Sequence, residues 1–119
     1  MFNSSAGSRP IELLSTIASG QSLSDIVDVG SKTLLGIIMP SAWTAANLTI
    51  QVSTDGTNFY DVYDGLGTEK TITAAANRYI IIDPTDFVGA KYIKVRSGTA
   101  AAAVNQGADR AVRLITKVI

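Results

Sequence analysis

From Ile11 onward the apolar residues fall into runs of about five to eight, many of them β-branched, separated by Gly, Asp, Asn and Ser. Their period is two. Between Asn47 and Thr54, Leu48, Ile50 and Val52 alternate with Thr49, Gln51 and Ser53, which assigns one set to a packed face and the other to solvent or a partner. Asp55-Gly56 follows at once, a dipeptide that tolerates the positive φ of a tight turn, so Asn58 to Asp64 is predicted as the return strand. The same pattern predicts strands at Ile11 to Ala18, Leu23 to Val29, Lys32 to Met39, Glu69 to Thr73, Arg78 to Ile82, Lys91 to Arg96 and Ala111 to Ile119. Leu34-Leu35-Gly36-Ile37-Ile38 is nearly continuous in apolar character and is expected at the centre of a sheet, buried on both sides. Pro40 ends it, because proline cannot donate to a ladder. About eight or nine half-apolar strands are best buried as two packed antiparallel sheets, so the expected fold class is an all-β antiparallel β-sandwich.

Two connections are longer than turns. Asp83 to Gly89 is predicted to form one helical turn, with Phe87 plugging the end of the sandwich. Ser97 to Ala108, nearly uncharged and containing four consecutive alanines from Ala100, is read as a loop, since so short a run cannot nucleate a helix alone. Residues 1–10, rich in Ser, Asn and Gly, read as a flexible N-terminal arm, and residues 11–119 as a single domain. The first ten residues lack the basic lead and apolar stretch of a secretory signal, and no apolar run is long enough to cross a bilayer as a helix. Synthesis in the cytoplasm and no membrane partner are the expectation.

Composition narrows the chemistry. The 119 residues include no His and no Cys, which rules out Ser/His/Asp and Cys/His catalytic sets and thiolate or imidazole zinc sites. Ten basic residues balance ten acidic ones, which argues against a dedicated nucleic-acid binder. Charged residues are only 17% of the chain, the composition of a surface meant to be partly covered. The balance is uneven along the chain: up to Asp64, Arg9 and Lys32 face six acids, whereas from Gly65 onward eight bases face four acids. Lys91, Lys94, Arg96, Arg110, Arg113 and Lys117 concentrate in the last strands, which suits a contact between unlike faces of neighbouring subunits.

Asp55, Asp61, Asp64, Asp83 and Asp86 offer the hard oxygens calcium prefers, but without EF-hand spacing they read as turn and loop residues, and no metal or cofactor is expected. Asp61 and Asp64 cannot pair as a glycosidase acid and base, since three positions along a strand place them on opposite faces. Trp43, Tyr60 and Tyr63 are candidate stacking surfaces for a glycan. The turn Ser53-Thr54-Asp55-Gly56-Thr57-Asn58-Phe59 is similar to the Asp-box turn of sialidases, with its Gly one position early; such turns are structural.

Leu34 to Trp43, Leu48 to Gly56, Tyr92-Ile93-Lys94-Val95-Arg96-Ser97-Gly98-Thr99 and Val104-Asn105-Gln106 together resemble small accessory proteins of tailed-bacteriophage virions, of the capsid decoration, cement or head-spike-base type. The resemblance spans residues 11–119 and implies a jelly-roll or discoidin-like sandwich without enzymatic activity, located on the capsid surface. It implies the major capsid protein as partner, together with further copies of the chain or a head fibre. On that reading the candidate contact residues are Arg9, Lys94, Arg96, Arg110, Arg113 and Lys117, with the N-terminal arm and the Ser97 to Ala108 loop. The alternative is a glycan-binding module on a head or tail fibre, using Trp43, Tyr60 or Tyr63.

Overall fold

A computed structural model describes residues 9–119. The expectation of a flexible arm falls mostly on residues 1–8, outside the described residues; Arg9 and Pro10 are exposed and precede the first strand. Nine strands follow: β1 (Ile11–Ile17), β2 (Val27–Asp28), β3 (Thr33–Ile38), β4 (Leu48–Ser53), β5 (Tyr60–Asp61), β6 (Thr71–Ile72), β7 (Tyr79–Ile81), β8 (Tyr92–Ser97) and β9 (Arg110–Lys117). They form two antiparallel sheets, one ordered β1-β9-β3-β7 (sheet A) and the other β2-β8-β4-β5, with β6 also bonded to β4 (sheet B).

That order is a jelly roll. The pairs β1 with β9, β2 with β8, β3 with β7 and β4 with β5 are the rungs of one long hairpin, and the hairpin is wrapped so that successive rungs lie in alternate sheets. Side chains inside the wrap make one core. Ile17, Leu34, Ile37, Val112 and Leu114 from sheet A meet Val27, Leu48, Ile50, Ile93 and Val95 from sheet B, and Val29, Met39, Ile82 and Phe87 close the ends. The buried hydroxyls of Ser15 and Thr116 do not interrupt it, because both bond to a neighbouring strand: Ser15 Oγ donates to the Val112 carbonyl at 3.1 Å and Thr116 Oγ1 to the Ile11 carbonyl at 2.9 Å.

Several predicted strands are shorter than their apolar runs, for local reasons. Leu23 to Val29 makes only a single bridge at Leu23 before β2, because this segment changes sheets. Ser24 bonds to Val95 of sheet B through both its backbone N–H and its Oγ, whereas Asp25 bonds to Thr16 of sheet A. Asn58 to Asp64 shrinks to β5 because Asn58 is still part of the turn. The helical turn expected at Asp83 to Gly89 is instead two hydrogen-bonded turns, closed by Asp86 N–H to the Asp83 carbonyl and Ala90 N–H to the Phe87 carbonyl. Phe87 does plug that end of the sandwich, only 5% exposed. β3 is central, between β9 and β7, with Leu34 and Ile37 buried; its other face is only partly covered, Leu35 and Ile38 being half-buried, with a bulge between Leu34 and Gly36. No helix among the described residues is long and apolar enough to cross a membrane.

Candidate interaction surface

The outward faces of the two sheets are built differently. On sheet B, cross-strand pairing sets Thr49 opposite Arg96 and Gln51 opposite Lys94, all pointing away from the core. This polar face is roofed by the chain between β5 and β6. Arg96, 7% exposed, donates to Asp61 at 2.8 Å, to Glu69 at 2.7 Å and to Thr49 Oγ1 at 2.9 Å. Gln51 donates to Asp61, Thr49 Oγ1 donates to the Gly98 carbonyl, and Glu69 accepts the N–H of Ala100, tying down the alanine-rich loop. The Arg96 guanidinium holds the Asp61 carboxyl below the ordinary carboxylate range, against the opposing effect of its partial burial. Gly98 is obligatory at this junction: its φ is +89°, and a Cβ there would collide with the carbonyl oxygen of Ala102.

On sheet A the outward face is apolar and bare among the described residues. Two rows cross all four strands, Leu14–Arg113–Ile38–Tyr79 and Glu12–Ile115–Gly36–Ile81. Ile81 is 84% exposed, Leu14 and Tyr79 each 57%, while Ile38 and Ile115 are half-buried between them. Gly36 leaves the seat on which the Tyr79 ring lies; a Cβ there would come within 2.5 Å of the phenol oxygen. Arg113 and Lys117 flank Ile115 along β9, against the single carboxylate of Glu12, 3.7 Å from Arg113. An open depression of about 300 Å³ between Ile38, Pro40, Ala111 and Arg113 continues this face at one end.

The basic contact candidates are therefore not brought together. Arg113 and Lys117 share the sheet A face; Lys94 lies on the opposite side of the molecule, its ammonium 4.5 Å from the centre of the Phe59 ring. Arg9 is exposed ahead of β1. Arg96 lies inside the sheet B cluster, paired with both Asp61 and Glu69 rather than standing free on the surface. Arg110 is half-buried, donating to Gln106 Oε1 and Thr44 Oγ1. Gln106, unremarked as a side chain in the sequence and 1% exposed, also accepts from Thr44 N–H and donates to the Thr44 carbonyl and Ser97 Oγ, so it pins the long loop to the segment after Trp43.

Among the aromatic candidates, Trp43 is half-buried against the core with its indole N–H on the Ala46 carbonyl, whereas Tyr60 and Tyr63 are exposed at 66% and 53%. Asp55 serves its own turn, accepting from the N–H groups of Thr57 and Asn58, and the Asn58 N–H above all holds its carboxyl well below the usual range. Among the described residues no group of three or more acidic side chains is placed to hold a metal ion.

The strand order and the two unlike faces define a jelly-roll sandwich with one roofed and one open side. Among solved structures, that of SPBc2 prophage-derived protein YomS is similar, with a TM-score of 0.57 over 92% of this chain and 95% of that one, at 15% sequence identity. At that identity the likeness is one of fold. No protein-family model matches the chain, and no curated protein matches it.

Proposed function

We propose that this protein is a structural subunit of a tailed-bacteriophage virion, a decoration, cement or head-spike-base protein that binds the capsid exterior and stabilises the head. The observation that carries the reading is the outward face of sheet A, where Leu14, Tyr79 and Ile81 are exposed and Ile38 and Ile115 lie half-buried between them, beside Arg113 and Lys117. Apolar side chains ordered in rows across a rigid sheet suit the centre of a protein contact, and the excess of basic residues calls for a partner surface with an acidic rim. The fold shared with a prophage-derived protein supports phage origin, and the major capsid protein as partner is what the resemblance to virion accessory proteins implies. One face of four strands covers roughly 400 Å², about half of what a lasting two-body contact usually occupies per partner, which suits attachment reinforced by many copies on a lattice.

The test is to mix purified protein with heads lacking it and measure cosedimentation and heat resistance. Wild type is expected to bind in hundreds of copies and to protect, and Ile81→Asp to bind more weakly while folding normally. Absence of binding to intact heads would overturn the reading. The exposed pair Tyr60 and Tyr63 favours the second reading, a glycan-binding module on a fibre; a glycan array on which Tyr60→Ala and Tyr63→Ala signal as strongly as wild type would remove it.

A further inference from the structure

Among the described residues the sheet edges are unequal. β2, β5 and β6 are two residues long and β7 three, whereas β1 runs for seven. Backbone groups along an antiparallel strand alternate between the partner strand and the open side. Thr16 fixes the phase in β1: its N–H donates to Asp25 Oδ1 at 3.0 Å and its carbonyl accepts the Asp25 N–H at 3.2 Å, so even-numbered positions point away from β9. The Ile11 carbonyl, which accepts from Thr116 of β9, agrees with that phase. The N–H and carbonyl groups of Glu12 and Leu14 therefore lie along an open edge, and among the described residues none bonds to them.

We infer that this edge pairs antiparallel with the same edge of a second copy, about a two-fold axis at Leu13. The register follows from what ends the edge on each side. Beyond Leu14, Thr16 is already satisfied by Asp25; before Glu12, Pro10 has no N–H to give. Centring the pair on Leu14 would set Glu12 against an occupied Thr16, and centring it on Glu12 would set Leu14 against Pro10. Only Leu13 at the axis pairs Glu12 with Leu14 in both directions; beyond that pair the two chains part, since Asp25 holds the open side of Thr16 and Pro10 has no N–H to give. In that register the second copy's Glu12 lies across Leu14 from Arg113, two strands or about 10 Å away, so the charges are unlike at moderate range. The result is one continuous eight-stranded sheet whose apolar outward faces lie on the same side, roughly doubling the surface available to a partner. The pairing itself does not depend on what that partner is.

Sedimentation of the full chain in the absence of capsids tests it. A dimer is expected, weakened about a hundredfold in Leu14→Pro, which removes an edge donor in both copies but, at an edge position, spares the fold. A double variant, Glu12→Cys with Leu14→Cys, should cross-link between copies on oxidation, since directly opposed residues lie about 5.5 Å apart, whereas Glu12→Cys alone should not, its own copy lying about 8 to 9 Å away. The native chain has no cysteine to confuse the result. A monomer at every concentration, a dimer indifferent to Leu14→Pro, or equal cross-linking by the single variant would each overturn the inference.

Discussion

The two outward faces reverse the usual relation between polarity and burial. Sheet B turns out Thr49, Gln51, Lys94 and Arg96, the residues expected to meet water, and then covers part of that face with its own chain; sheet A turns out Leu14, Ile38, Ile115, Tyr79 and Ile81 and leaves them open. The difference shows where each face finds its partner. A polar face can be covered intramolecularly only if every group is paired, which Asp61, Glu69 and Thr49 achieve around Arg96. An apolar face needs no such matching and can wait for a surface from outside.

The strongest way to break this contrast is Arg96→Met. It leaves Asp61, Glu69 and Thr49 without their shared donor, and since the two carboxylates keep 32% and 14% of their side-chain exposure, a loss of about 2 to 3 kcal/mol is expected, below that of a fully buried pair. The urea midpoint reads it; a loss below about 0.5 kcal/mol would mean the cluster is ornamental to stability. The same variant has a pH signature. Asp61 ionises more readily folded than unfolded, so its contribution is full above the unfolded pKa of about 3.9 and is lost as pH falls through the lower folded value. The stability gap between wild type and Arg96→Met should therefore narrow on acidification from pH 6 toward pH 2, and a constant gap would assign the loss to packing.

Substitutions on sheet A should cost less. Gly36→Ala forces the Tyr79 ring from its seat, but that ring is more than half exposed and can swing into solvent, so about 1 kcal/mol is expected, together with a change in the Tyr79 ring resonances by NMR. Ile81→Lys, at a side chain 84% exposed, should shift the midpoint by no more than about 0.5 kcal/mol. If Ile81→Lys proved as costly as Arg96→Met, the two faces would not differ as described.

Much of this was legible in the chain. Clean alternation, as in Leu48-Thr49-Ile50 and Ile93-Lys94-Val95, belongs to sheet B, whose faces are chemically distinct. Every strand of sheet A instead carries an adjacent apolar pair: Leu13-Leu14, Ile37-Ile38, Ile80-Ile81 and Leu114-Ile115. On a period-two strand such a doublet must put one residue inside and one outside, so four doublets announce an apolar outer face. Less legible was the fate of Arg96. Its place in an alternating strand reads as surface, and the partners that bury it, Asp61 and Glu69, are 35 and 27 residues away. Gln106 was hidden for the same reason, its side chain meeting Thr44 across 62 positions.

The position of β9 bears on how the protein is made. β9 is the second strand of sheet A in space, yet the ribosome produces it after every other described strand. Until then β1 has no neighbour in its sheet, and β3 can pair only with the short β7. Sheet B can assemble while translation continues, but sheet A must wait for residues 110–117, so a nascent chain stalled before Arg110 would expose Leu34, Ile37 and the β1 edge together to whatever else is being synthesised nearby.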